Sequence, residues 1–413
     1  SVMPVSSQWL AAPSTAAYEI DYSCIFDAAS SAYLDRTPGS AGDRKTWTMS
    51  FWFKLTKLGS STSGGERLFT AGSTEFTISD SNDQLYLNDG TVYRQTNGVF
   101  RDTSAWYHIF IGCDTTQSTA GDRFKFYLNG ELPSLATDNQ PAEDFEFDIN
   151  NTNVHYIGRE GSNYLDAYIS EFHLVDGTQR VVGDFGETND QGVWVPKEYT
   201  GSHGTQGVYL DFADSDNLGD DESGNGLDWA ENNIDAADQS TDTPTNNHCI
   251  VNRIESLADT WTITQGNKFP AQAANNSRGK CNFGIDSADT DGWYWECELD
   301  AIPSGFTSSI GILPVDNHNT GNMADPTSNV DDEFYGVTNQ TSPARTYKHI
   351  GGTSSSLDST AMTAGQIFGV AVKGNKIWIA KNNVWWGSGD PSAGSNELGS
   401  ITAGLYHPVH GAR

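Results

Sequence analysis

The chain has 413 residues and sets 23 Lys and Arg against 54 Asp and Glu, for a net charge of -31. That length suits two domains, each with its own core. The acidity repels phosphate backbones and anionic headgroups, which excludes nucleic-acid binding and docking on a lipid surface. Asp, Asn, Gly, Ser and Thr are abundant, which disfavours helices and favours short strands joined by turns. Cys24, Cys113, Cys249, Cys281 and Cys297 are odd in number and lack a C-x-x-C spacing. They read as buried free thiols, neither a disulfide framework nor a zinc site. No apolar run reaches the length of a membrane span. Ser1-Val2-Met3-Pro4 carries neither a basic region nor an apolar stretch, so no secretory signal is expected.

In chain order, residues 1–18 are small and polar and read as an N-terminal arm. Residues 19–200 read as the first domain. Trp47–Lys54 alternates at period two, as a half-buried strand does. Gln84-Leu85-Tyr86-Leu87 runs into Asn88-Asp89-Gly90, and Arg123–Leu128 runs into Asn129-Gly130; both read as hairpins. Ala105–Gly112, His155–Gly158 and Ala167–Leu174 add further strands. Residues 201–247, rich in Asp, Asn and Gly, read as an extension and linker ending at Asp242-Thr243-Pro244-Thr245-Asn246-Asn247. In residues 248–413 the alternation resumes with Gly292–Leu299, Ser309–Leu313 and Phe334–Val337. Gly365–Val372 and Lys376–Asn383 form a hairpin across Lys373-Gly374-Asn375. The fold class is all-β.

Three stretches resemble known families. Trp47–Lys54, Ser104-Ala105-Trp106-Tyr107-His108, Phe126–Gly130, Ile157-Gly158-Arg159 and Asp166–Phe172 resemble, in this order, the laminin-G-like domains of the concanavalin A-like lectin/glucanase superfamily. Asp184-Phe185-Gly186-Glu187, Gly192–Lys197, Tyr199-Thr200-Gly201 and the run at 242–247 resemble a recurrent segment of marine bacteriophage structural proteins. "WYWE" at Trp293–Glu296, Ile310-Gly311-Ile312, Gly369–Val372 and Ile377–Asn383 resemble a SPRY (B30.2) domain. That family finishes with a strand beyond the segment matched by Leu405-Tyr406-His407-Pro408, which implies that 248–413 lacks its last strand. The resemblances imply two concanavalin A-like jelly-roll sandwiches in tandem.

Catalytic patterns are missing. The E-x-D-x-x-E strand of sandwich glucanases, with two carboxylates flanking a glycosidic bond, does not occur. Glu296, Glu298 and Asp300 share a strand face and read as a polar exterior. His108 and His173 read as structural, and there is no G-x-S-x-G elbow, P-loop or G-x-G-x-x-G after a strand. Asp211, Asp214, Asp216, Asp220, Asp221 and Asp228, beside Glu222 and Asn225, read either as solvated turns or as oxygen ligands for calcium. Leu218 at a ligand position excludes the EF-hand pattern. Of Trp385 and Trp386, period-two geometry sends one inward and one outward; the outward ring is either an interface contact or a stacking surface for a sugar.

The resemblances imply a non-enzymatic virion protein of a tail fibre, spike or capsid appendage, which binds a host-surface glycan or decorates the particle. A polysaccharide-degrading glucanase-like enzyme and a purely structural spacer or collar subunit are the alternatives. The expected partners are other virion proteins, a host-surface glycan and further copies of the chain. A trimer is favoured, joined through the arm and the unfinished edge of the second sandwich.

Overall fold

A computed structural model describes residues 18–57, 65–251, 261–264, 266, 269–272, 277–299, 308–316, 333–341 and 344–412. The expected N-terminal arm, up to residue 17, and Asp300 lie outside the described residues. The fold is nearly all-β: the one α-helical turn among the described residues is Ala120–Arg123. No helix of the described residues is long and apolar enough to cross a membrane. Two compact units meet in sequence between Asn247 and His248. The five cysteines are unpaired, and all but the half-buried Cys281 are buried.

The first unit is an antiparallel two-sheet sandwich. One sheet runs Gln239–Ser240, Ser23–Phe26, Ala167–Asp176, Thr46–Leu55, Tyr107–Asp114, Phe124–Leu128, with Val208–Leu210 also paired to Ala167–Asp176. The other runs Leu135–Asn139, Val92–Val99, Gln84–Asp89, Thr74–Ile78, Glu66–Ala71, His155–Ile157, Tyr33–Arg36, Ala230–Asn232. Between them Trp47, Phe51, Phe53, Phe69, Phe76, Phe147 and Phe172 form the core, with Trp47 edge-on to Phe147 at 5.3 Å. Gly90, at a φ of +61° that only glycine adopts freely, closes Gln84–Asp89 onto Val92–Val99 as the sequence predicts. The Asn129-Gly130 turn differs. Past a single bridge from Leu128 to Glu131 the chain crosses over, and Leu135–Asn139 joins the opposite sheet.

Residues 201–247 belong to the first unit as an ordered extension, and the stretch at 242–247 expected as a linker is packed into it as well. Val208–Leu210 pairs with Ala167–Asp176, Ala230–Asn232 with Tyr33–Arg36, and Gln239–Ser240 with Ser23–Phe26. Phe212, Leu218 and Trp229 belong to the core. Asp242 and Lys54 form a fully buried ion pair at 2.9 Å, Trp106 Nε1 donates to the same carboxylate at 3.0 Å, and Thr243 Oγ1 donates to the Ile20 carbonyl at 2.8 Å. By composition these polar turn residues suit a solvated linker. Here they act as buried hydrogen-bonding groups, which composition alone does not distinguish.

The second unit is also a sandwich. Its larger sheet runs Ser277–Lys280, Leu405–Ala412, Ser308–Pro314, Tyr335–Thr341, Ala344–Ile350, Thr353–Asp358; its smaller sheet contains Trp293–Leu299, Gln366–Lys373, Lys376–Lys381 and Val384–Trp385. Trp295, Cys297, Ile310, Ile312, Val337, Phe368, Val370 and Ile379 fill the space between them. The hairpin across Gly374 and Asn375 forms, both at positive φ. The C-terminal segment, where the sequence suggests an unfinished edge, is itself paired on both sides. Leu405–Ala412 pairs with Ser308–Pro314 on one side and with Ser277–Lys280 and Ile285–Asp286 on the other. Its backbone groups are therefore used, and it offers no open edge for a neighbouring chain.

Candidate functional site

The two outer faces of the first sandwich differ, and the eight-stranded sheet carries the open one. Alternation within Tyr33–Arg36, Gln84–Asp89 and Val92–Val99 buries Leu34, Leu85, Leu87 and Val92 and turns Tyr33, Asp35, Tyr86, Tyr93 and Gln95 outward. Cross-strand register then lines up Tyr93, Asn88, Glu75, Thr70, Tyr156, Asp35 and Ala230 as successive partners across the sheet. At one end Tyr86 and Tyr93 lie with ring centroids 5.5 Å apart, and Asn82 and Gln95 each contact the Tyr86 hydroxyl at 2.7 and 3.2 Å. At the other end Tyr33 lies 5.9 Å from Tyr156 and 6.1 Å from Tyr164. Three strand spacings separate Tyr86 from Tyr156, roughly 14 Å. Between the two groups Arg67 donates to Glu75 at 3.1 Å and Thr77 at 2.8 Å and pairs with Glu160 at 2.8 Å. Burial pushes the Glu75 carboxyl above its ordinary range against the pull of Arg67.

Arg159 stands among the second group of tyrosines. The short hairpin of Arg159–Glu160 with Asn163–Tyr164 is fixed to the sheet by Thr70 Oγ1, which donates to the Arg159 carbonyl at 2.8 Å. The guanidinium carbon lies 4.4 Å from the centre of the Tyr33 ring, 5.3 Å from Tyr156 and 5.8 Å from Tyr164. Its Nε donates to the Gly161 carbonyl at 3.0 Å. Cation–π contact of this kind holds a guanidinium plane against a ring while its edge stays available for hydrogen bonds.

The opposite face is closed. Thr46–Leu55 and Ala167–Asp176 are buried almost throughout, on both sides, because residues 180–247 pack over them. The indole of Trp194 is so close over the Asn129-Gly130 turn that a Cβ on Gly130 would lie 2.3 Å from it. Beneath it, Trp194 Nε1 donates to His108 Nδ1 at 3.1 Å, which leaves the ring proton on Nε2, 2.8 Å from Ser50 Oγ. His108 therefore donates to Ser50 and cannot take its proton, so this Ser-His pair is no nucleophile and base; burial also drives the imidazole pKa down to about 3. Glu171, at φ +51° in a bulge of Ala167–Asp176, accepts from the hydroxyls of Tyr209 at 2.9 Å and Tyr18 at 3.0 Å. His173 Nδ1 meets His203 Nε2 at 3.1 Å, and burial with the neighbouring His173 lowers His203 to about 4. These groups satisfy one another and leave nothing aimed at a ligand. His108 and His173 are structural residues.

The residues singled out in the sequence are placed as follows. Among the described residues no group of three or more His, Cys, Asp or Glu side chains is arranged to hold a metal ion. Asp211, Asp220 and Asp221 lie near enough to Glu222 to push its carboxyl up, yet Asp211, Asp214, Asp216, Asp220, Asp221 and Asp228 form no metal-holding group among the described residues. Asp211 accepts from the Ala213 amide and Asp214 from the Asp216 amide, both at 2.9 Å. Asp228 accepts from the Asp221 amide at 3.2 Å. The Asp221 carboxylate accepts four hydrogen bonds, from Tyr209 N, Ser223 N, Ser223 Oγ and Leu227 N. Asp221 thus organises the loop, and its oxygens do not fit a calcium ligand. Trp385 ends the strand Val384–Trp385 and Trp386 opens a 3-10 turn, so strand alternation does not separate them. Trp386 packs on the second core beside Phe368, and Trp385 lies edge-on to Tyr294 at 6.1 Å. Glu296 and Glu298 do alternate with buried Trp295 and Cys297 on the outer side of their strand, and Tyr294 donates its hydroxyl to Glu296. The sequence does not single out the outward tyrosines, whose alternate spacing within short strands marks the strands alone.

A family model described as the Concanavalin A-like lectin/glucanases superfamily, of the laminin G type, matches residues 28–179. That stretch carries the lectin-like domain on which the tyrosine face is built. Similar solved structures include domains LG4-5 of the mouse laminin alpha1 chain, 8% identical over 99% of this chain and 85% of that chain, with a TM-score of 0.30. The heptameric SAP-like pentraxin from Limulus polyphemus is 14% identical over 39% and 78%, at 0.29. The binding domain of botulinum neurotoxin serotype D is 12% identical over 99% and 91%, at 0.31. No curated protein matches the chain.

Proposed function

We propose that the chain is a non-enzymatic, glycan-binding surface protein that uses the outer face of the eight-stranded sheet. The observation that carries this reading is the row of outward polar side chains with a tyrosine group at each end, roughly 14 Å apart on one rigid sheet. Tyrosine rings give sugars apolar faces to stack on, and their hydroxyls with Asn88 and Gln95 supply hydrogen bonds at low entropy cost. Two such points on one surface suit an extended oligosaccharide better than a small metabolite. Catalysis has no support on this face, where the carboxylates of Glu75 and Glu160 are engaged by Arg67. The further reading, as a phage tail-fibre, spike or capsid-appendage subunit assembled with other virion proteins, rests on the sequence resemblance of residues 184–247.

Binding of the full chain to a glycan microarray tests the proposal. Neutral oligosaccharides of three or more sugars are expected to bind, and Tyr86→Ser with Tyr156→Ser to lower the affinity by about tenfold, the equivalent of about 1.4 kcal/mol. The melting temperature should fall by no more than about 4 °C, because both rings are half-exposed. No binding to any glycan, or binding indifferent to both substitutions, overturns it.

A further inference from the structure

We infer that the Arg159 end of this face selects a glycan bearing one isolated carboxylate, such as a nonulosonic or uronic acid residue within an otherwise neutral oligosaccharide. The inference rests on the glycan-binding reading and names the ligand class at one end of the same surface.

The first observation is a charge without a partner. In a chain of 54 acidic residues, Arg44, Arg67, Arg94, Arg101 and Arg123 each pair with a carboxylate, while Arg36 is spent on Gln206 and Arg180 lies over Tyr199 on the covered side. Arg159 is half-buried and forms no ion pair with any described residue; its one hydrogen bond, from Nε, goes to the Gly161 carbonyl. The nearest acid in sequence, Glu160, is engaged by Arg67 at 2.8 Å. A guanidinium kept from so many carboxylates retains its two terminal nitrogens for something else. Those nitrogens match a carboxylate as a two-pronged, charge-assisted contact.

The second observation is the cradle. Tyr33, Tyr156 and Tyr164 surround the cation within 5.8 Å, and no described residue bonds to any of their three hydroxyls. Stacking on Tyr33 fixes the guanidinium before a ligand arrives, so little side-chain freedom is lost on binding. The rings themselves offer a surface for the pyranose that carries the acid.

The surroundings limit how much charge the ligand carries. Glu75, Glu160 and Asp35 share the face, and the chain as a whole carries -31. A polyanion would gain one pairing and meet repulsion along the rest of the row. A single acidic residue at the Arg159 end gains the pairing alone.

Titration of the full chain with lactose, sialyllactose, a glucuronate-terminated trisaccharide and heparin decides the matter. The two acidic trisaccharides are expected to bind about tenfold more tightly than lactose, and the preference to shrink as salt rises toward 1 M, where screening is short-ranged. Arg159→Gln should remove the preference and leave the affinity for lactose in place. Arg159→Lys should restore only part of it, since an ammonium lacks the two-pronged geometry. Heparin should bind no better than lactose. Equal affinity for lactose and sialyllactose, a preference that survives Arg159→Gln, or tight heparin binding overturns this inference while the glycan-binding reading stands. Binding of none of the four, with a glycan microarray also blank, overturns both. A circular dichroism spectrum of Arg159→Gln identical to that of the unsubstituted protein separates lost recognition from lost folding.

Discussion

The first sandwich has two outer faces built from the same kind of strand, and their burial differs completely. On the seven-stranded sheet, Thr46–Leu55 and Ala167–Asp176 are buried on both sides. Of their outward groups, Ser50, Lys54, His108 and His173 are engaged by residues from the 180–247 segment or by one another, and Ser170 donates to the Tyr22 carbonyl. On the eight-stranded sheet, Tyr33–Arg36 and Gln84–Asp89 alternate strictly between buried and half-exposed positions. One face has spent its polar groups on stability. The other leaves the hydroxyls of Tyr33, Tyr156 and Tyr164 and the terminal nitrogens of Arg159 without a bond to any described residue. Function belongs with the groups that the fold leaves unsatisfied, and coverage by the later segment determines which those are.

The largest expected effect breaks the covered side. Asp242 and Lys54 are both fully buried, so Asp242→Ala strands an ammonium inside the protein and costs roughly 3–5 kcal/mol. Calorimetry should show the melting temperature of the first unit lowered by about 10 °C or more. An open-face substitution such as Tyr86→Ser should cost about 0.5 kcal/mol or less. Equal losses at the two sites would erase the distinction between the faces.

Much of this fold was legible in the sequence, for physical reasons that also mark where legibility ends. Period-two runs and Asn-Gly turns are local, so the strands and the hairpins at Gly90 and Gly374 could be read directly. Pairing across the chain is not local. Nothing in Ala230-Glu231-Asn232 announces that it will pair with Tyr33–Arg36, nearly two hundred residues earlier, and an Asp-Thr-Pro-Thr run looks the same whether solvated or buried. The tyrosine row needed register as well as alternation. Bulges between Arg67 and Phe69 and between Gln84 and Tyr86 set which tyrosines share a face, and a one-residue slip reverses the assignment. Arg159 could be read as a residue, but that it forms no ion pair with any described residue, while Glu160 beside it pairs with Arg67, appears only in the fold.

A smaller effect concerns the rim where the two sheets approach. Glu66 opens Glu66–Ala71 and accepts from the Asp166 amide at 2.7 Å, while its other oxygen has no partner. Burial, with the Asp166 charge second, pushes its carboxyl up to about 8. Because the folded value lies above the ordinary 4.5, the stability it contributes is complete below that pH and is lost as pH rises through 8. Glu66→Gln keeps the neutral form at every pH. It should raise the melting temperature by a few degrees at pH 9 and leave it unchanged at pH 4. His108, His155 and His203, lowered to about 3, 4 and 4 by burial, act in the opposite direction: their contribution is present above the ordinary 6.5 and is lost as pH falls through those values. Comparing variant and parent at each pH cancels that shared background. A uniform shift at all pH values would show that the Glu66 carboxyl titrates alike in the folded and unfolded chain.

The smallest expected effect is that of calcium. An acidic run such as 211–228 invites a cation by composition, and a ligand that binds only the folded state raises stability by RT ln(1 + [L]/Kd), about 2.7 kcal/mol at a hundredfold excess over Kd. The Asp221 carboxylate has two oxygens with about four lone-pair sites between them, and four donors at 2.9–3.0 Å fill them. A cation there would have to displace amides that hold the Val208–Leu210 strand and the turn after it, losing part of what it gained. Asp211 and Asp214 are each turned back onto an amide two residues on, which is how carboxylates behave when they close turns. Melting curves in millimolar calcium and in chelator should therefore coincide within about 1 °C. A rise of several degrees that Asp221→Asn abolishes would show that these turns reorganise around a cation, and that the covered side of the sandwich also holds a site.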